Sequence, residues 1–250
     1  MLIFLGLLIA IRAEAATILL NEGFESAAWQ ANWTSFEYPE NMTITTHIPN
    51  SGHQLQVRVP LGEDDGAAVI WRFAAKGYAP PDEAWLRFYA WFDNSWTSSP
   101  ARDYLASLPG YAGQGWAVYM YSNSSAGVGF RIHHLGNPGG ELIPWGYALQ
   151  RNQWYAFEFR VKLNTPGQAN GIVQGWLNNA LIFNRGNFAF RTDLSVKVDT
   201  MWGGVYTAPG TVADRNMTLY LDAITIAPDQ ICQSCAPPPA PAPPPPCQCP

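Results

Sequence analysis

The chain has 250 residues, enough for one large β domain or two small ones. Only 13% of them are charged, about half the usual share, and the formal net charge is −5. That balance excludes a nucleic-acid partner, which needs a basic patch, and leaves any acidic ligand to individual Arg or Lys side chains.

Residues 1–16 read as a signal peptide. Leu2 to Ile11 is an apolar run too short to span a bilayer, and Ala13-Glu14-Ala15 has the small-x-small pattern of a cleavage site. The expectation is a secreted, extracellular protein. No later stretch is long and apolar enough for a membrane span. Residues 17–228 follow as one domain without a linker. Glu63-Asp64-Asp65-Gly66 is a short acidic turn that suggests an incidental calcium site at most; no metal cluster or cofactor is expected.

Within the domain the hydrophobic period is two. Trp85 to Phe92 puts Leu86, Phe88, Ala90 and Phe92 on one face and Trp85, Arg87, Tyr89 and Trp91 on the other. Trp116 to Tyr121, Val128 to His134, Trp154 to Leu163, Ile172 to Leu177 and Met217 to Ile226 read the same way. Short strands separated by Gly, Pro, Asn and Ser clusters predict an all-β, two-sheet antiparallel sandwich. Asn178-Asn179 predicts a hairpin turn, because Asn tolerates positive φ. Sequons occur at Asn32, Asn41, Asn123 and Asn216, sites for glycans if the source glycosylates. Residues 229–250 differ in kind. A polyproline run lies between Cys232 and Cys235 on one side and Cys247 and Cys249 on the other. Without a nearby histidine, and in an oxidising setting, these thiols point to disulfides, within the chain or between copies, rather than to metal.

Several strands carry large side chains on both faces. Exposed Trp and Tyr rows call either for a ligand or for a covering layer. Sugar rings stack on aromatic faces, so Arg87, Tyr89 and Trp91 are expected substrate contacts, with Ser107 and Tyr121.

Three sets of segments carry a resemblance. The first is Leu86-Arg87-Phe88-Tyr89 with Leu108-Pro109-Gly110. The second is Gln153-Trp154-Tyr155, Arg160 to Gly167 (RVKLNTPG), Asn170-Gly171 and Trp176-Leu177. The third is Trp202-Gly203-Gly204 with Tyr220-Leu221-Asp222-Ala223. In this order the chain resembles polysaccharide lyase family 14 and its glucuronan-lyase-like relatives. The resemblance implies a β-jelly roll with a concave groove sheet, eliminative cleavage of uronate polysaccharide, and a structural role for Asp222. In the family a Lys before Leu-Pro-Gly, a Ser-x-Arg and a Tyr-x-Tyr on successive strands do the chemistry. Here those positions read Ser107, Ala117-Val118-Tyr119 and Arg131-Ile132-His133.

The substituted residues still form a chemical set. Trp116, Val118, Met120, Phe130 and Ile132 read as core. A hairpin turning near Ser125 then puts Tyr119 opposite Arg131, with His133 one step along the same face. A cation, an imidazole titrating near neutrality and a phenol suffice for β-elimination, so Tyr119, Arg131 and His133 are the candidate catalytic residues. His134, of opposite parity, reads as a strand-end residue. Three readings stay open: an active lyase on acidic polysaccharide, a lyase-fold glycan binder without turnover, and an extracellular structural subunit that self-associates through its tail.

Overall fold

The structure, a computed structural model, describes residues 17–48, 51–97, 103–108, 116–124, 127–207 and 211–231. The expected signal peptide, the four cysteines, the proline run and the turn at Ser125 lie outside the described residues.

The strands are β1 (Leu20–Glu22), β2 (Ser35–Glu37), β3 (Met42–Thr45), β4 (Gln54–Val59), β5 (Asp65–Arg72), β6 (Glu83–Phe92), β7 (Asp103–Leu108), β8 (Ala117–Asn123), β9 (Gly127–His134), β10 (Asn137–Tyr147), β11 (Trp154–Lys162), β12 (Gly171–Leu177), β13 (Ala180–Phe188), β14 (Thr200–Thr207) and β15 (Met217–Ala227). Among the described residues the only helical pieces are three 3-10 turns of three or four residues. Sheet A has eight strands in the order β13-β12-β11-β6-β15-β4-β3, with β1 also on β15; sheet B has seven in the order β10-β9-β8-β7-β14-β5-β2. Neighbours pair antiparallel throughout, for example β6 with β11, β8 with β9 and β5 with β14. The molecule is the expected sandwich.

Period-two patterning places the core between the sheets. Leu86, Phe88, Ala90 and Phe92 of β6 face Trp116, Val118, Met120, Phe130 and Ile132 from the β8–β9 side, all in one buried cluster. Phe130 meets Phe159 of β11 edge-on at 5.6 Å, joining sheet B to sheet A. Removing such a ring costs about 3–5 kcal/mol, because transfer and cavity terms add. Asn178 and Asn179 take φ of 50° and 68°, the left-handed pair that the β12–β13 hairpin needs.

Two aromatic groups on the outward face of sheet A are covered by the chain itself. Ile48, from the chain before β4, packs on Trp91, Trp154 and Tyr220. Ile231 packs on Trp85, Trp176 and Ala227. Ile231 lies past the expected end of the domain at residue 228, yet it is buried against the sheet.

Candidate functional site

The β8–β9 hairpin builds the site. Its register pairs Tyr119 with Arg131 and Ala117 with His133. A two-residue step along β9 keeps Arg131 and His133 on one face, and that face is the outward face of sheet B. The Tyr119 and His133 rings stand edge to face, 5.6 Å apart. Next along the sheet, Tyr104 of β7 lies 5.0 Å from Tyr119 and stacks on Tyr206 of β14 at 5.8 Å. Trp202 follows, its indole N–H donating to Glu37 Oε2 at 2.7 Å.

The edge strand β10 folds over this hairpin. Its register slips between Asn137 and Glu141, and the slack in Pro138-Gly139-Gly140 arches above Arg131 and His133. Arg131 Nη1 donates to Tyr104 Oη at 2.5 Å and Nη2 to Gly139 O at 2.8 Å, while its Nε is buried without a partner. One N–H on each terminal nitrogen is left for a ligand carboxylate. His133 Nδ1 lies 2.8 Å from Pro138 O. A carbonyl only accepts, so Nδ1 carries the proton and Nε2 of the neutral ring holds the lone pair. Gly140 has φ +83°, and a Cβ there would lie 2.7 Å from His133 Nε2 and 2.8 Å from Arg131 Nε. The bulge can approach this closely only as glycine.

Protonation states follow from burial. Burial lowers the His133 pKa below the ordinary 6.5; the Pro138 carbonyl opposes this and the Arg131 charge adds to it. The imidazole is neutral at neutral pH. Burial raises the Tyr119 pKa above 10.0; Tyr104 and Tyr206 add to the rise and Arg131 opposes it. Tyr119 stays a phenol, and its hydroxyl has no hydrogen-bond partner among the described residues.

The other expected contacts divide between the sheets. Ser107 and Tyr121 are on sheet B beside Tyr119 and Tyr104, but both are fully buried. Arg87, Tyr89 and Trp91 sit on the outward face of sheet A, so they share no groove with Arg131. Alternation assigns a side chain to a face of its strand and says nothing about which sheet the strand joins. Arg87 is instead buried among Glu158, Tyr89 and Asn179. Sequence reading missed Tyr104, Trp202, Tyr206, Glu37 and the Pro138–Gly140 arch. Tyr104 escaped because a bulge between it and Ala106 breaks the alternation of β7. Two sequon amides are already engaged: Asn32 Nδ2 donates to Glu22 and Asn41 Nδ2 to Gly66 O.

Comparison with known proteins bears on this arrangement. The family model for polysaccharide lyase 14 matches residues 139–207, a stretch that holds Gly139, Gly140, Trp202 and Tyr206 but stops short of Tyr119, Arg131 and His133. The search of curated proteins finds no match. Among solved structures, the PL-14 alginate lyase from Aplysia kurodai superposes with a TM-score of 0.68 at 12% identity, over 86% of this chain and 100% of that one. The alginate lyase vAL-1 from Chlorella virus gives 0.68 at 10%, over 85% and 100%. The endo-β-1,4-glucuronan lyase from the fungus Trichoderma reesei gives 0.63 at 13%, over 85% and 96%. The chain has a polysaccharide lyase 14-like β-sandwich fold.

Proposed function

We propose that this is a secreted protein that binds uronate-containing polysaccharide on the outward face of sheet B and cleaves it by β-elimination. Arg131 neutralises the C6 carboxylate and so acidifies the C5 proton. His133 Nε2 takes that proton. The electron pair forms the C4–C5 double bond as the bond from C4 to the glycosidic oxygen breaks, and the Tyr119 phenol protonates the departing oxygen. Tyr104, Tyr206 and Trp202 offer ring faces and edges to neighbouring sugars. The observation that carries this reading is the convergence of three groups in the required states: a cation with two N–H groups to spare, a neutral imidazole with its Nε2 lone pair, and a protonated phenol. The fold it shares with alginate and glucuronan lyases supports the same substrate class.

The test is incubation with alginate, glucuronan and a neutral glucan, recording absorbance of unsaturated ends together with binding. Unsaturated ends are expected from a uronate polymer and none from the glucan. His133→Ala should abolish turnover and leave binding in place. Arg131→Ala should weaken uronate binding by about 1.5–3 kcal/mol, the worth of a charge-assisted hydrogen bond, and leave glucan binding unchanged. Equal loss on both ligands would refute the carboxylate role. One observation favours a second reading, binding without turnover: Ser107, fully buried, stands where the resemblance implies a lysine. Saturable uronate binding with no rise in absorbance would establish it.

A further inference from the structure

The outward face of sheet B is electrically two-ended. Arg131, on β9, marks one end. Two strands past Tyr104, on β5, stands Asp65, with Asp64 and Glu63 beside it in the preceding turn, and one strand further, on β2, stands Glu37. From β9 to β5 is four strand spacings, about 19 Å, the reach of roughly four sugar rings. Tyr206 stands between the ends: Asp65 and Asp64 raise its pKa and Arg131 lowers it, after burial as the main cause of the rise. At the far end Tyr38 is 47% exposed, and its hydroxyl is hydrogen-bonded to Asp65, which holds the phenol in its protonated form. The cation of β5 itself, Arg72, is at the opposite end of that strand from Asp65. Glu37 and Asp65 are half-buried, so their charges are less screened than those on an open surface.

A polymer with a carboxylate on every sugar therefore meets opposite demands along this face. The uronate at Arg131 is favoured. The uronates that run on past Tyr206 meet Glu37, Asp64 and Asp65 as like charges, which raises the free energy of the complex. We propose that the face selects a mixed polysaccharide, in which the uronate at Arg131 is followed by uncharged sugars at the Glu37–Asp65 end, over a polymer of uronate alone. This rests on the reading that Arg131 takes the carboxylate, and it names the substrate class more narrowly.

Calorimetric titration at low ionic strength tests it with two probes of equal length. One is a glucuronan oligosaccharide, with a carboxylate on every ring. The other carries a single glucuronate at one end and uncharged sugars on every ring after it. The chain is compared with Glu37→Gln/Asp65→Asn, which keeps an acceptor for Trp202 Nε1 and for the Tyr38 hydroxyl while removing both charges. The double variant should bind glucuronan about fivefold tighter, the relief of roughly one exposed charge contact, and bind the singly charged probe within twofold of the parent. The glucuronan gain should shrink as salt is added. No gain on glucuronan, with Arg131→Ala still weakening both probes, would overturn the selection and leave the Arg131 reading standing. If Arg131→Ala weakens neither probe, both fall together.

Discussion

Gly140 aims its missing Cβ between His133 Nε2 and Arg131 Nε, at 2.7 and 2.8 Å. Its replacement separates two effects that usually travel together. Gly140→Ala suffers both the strain of positive φ and a collision with the two catalytic side chains. Gly146, on the same strand at φ +70°, has nothing within 4 Å of its own Cβ position, so Gly146→Ala suffers the strain alone. Both variants should lose on the order of 1 kcal/mol of stability. Only Gly140→Ala should lose uronate binding and turnover, seen in titration and in the absorbance assay; equal loss in both would make the arch a stability feature. The same residues set the pH profile. With His133 below 6.5 and Tyr119 above 10.0, kcat/KM should be flat between those limits and fall on the acid side below pH 6.5. An acid limb lying above 6.5 would mean that another group is the base. Tyr119, Arg131 and His133 were legible together because one short hairpin fixes their register, and alternation does the rest. Arg131's contacts with Tyr104 and Gly139 were not, since they depend on a bulge and on a neighbouring strand.

Strand β6 shows what alternation omits at the scale of an element. Its outward residues were legible as a face, yet their environment depends on β11, which pairs Glu158 with Arg87 from 71 positions away. The ion pair is 2.8 Å long with both side chains 4% exposed. Arg87 also donates to Tyr89 Oη and Asn179 Oδ1, while Glu158 Oε1 is buried without a partner. Burial raises the Glu158 pKa, and the bond to Arg87 works the other way. Arg87→Met should therefore cost about 3–5 kcal/mol, because it strands a buried carboxylate. Adding Glu158→Leu should recover most of that loss, because two apolar side chains replace two desolvated charges. Denaturant melts of both variants check this; a double variant no more stable than Arg87→Met would show that packing, not charge, decides. Strand β10 failed to read as a strand for a different reason. Pro138, Pro144 and three glycines hide its pattern, and it exists because an edge strand tolerates proline and because its slack is taken up in the arch.

At the scale of the whole molecule, the first strand meets the last: β1 pairs with β15 within sheet A, and Asp222 sits beside that junction. Its carboxylate accepts from the Ala223 N–H at 2.6 Å, and Ala223 is held at φ 44° beside a bulge in the pairing with β6. Burial pushes Asp222 from the ordinary 3.8 up to about 7; the Ala223 N–H opposes this, and Glu25 and Glu22 add to it. The folded state thus binds a proton more tightly than the unfolded chain does, so between about pH 4 and pH 7 it holds more protons and its stability falls as pH rises. The full span corresponds to at most about 4 kcal/mol. Other groups pull the opposite way. Asp82, despite partial burial, is held low by Lys197 and Arg191, so its contribution is present above its ordinary 3.8 and lost on acidification. His133, held below 6.5, destabilises the fold when it is protonated. The difference between the chain and Asp222→Asn isolates the single carboxyl, since the amide is neutral at every pH. Thermal melts in a pH series should show Asp222→Asn gaining on the parent steadily from about pH 4 to pH 7, then running parallel above it. A gap that stays constant across that range would mean that Asp222 is ionised throughout in the folded protein, its charge balanced by a cation or by solvent.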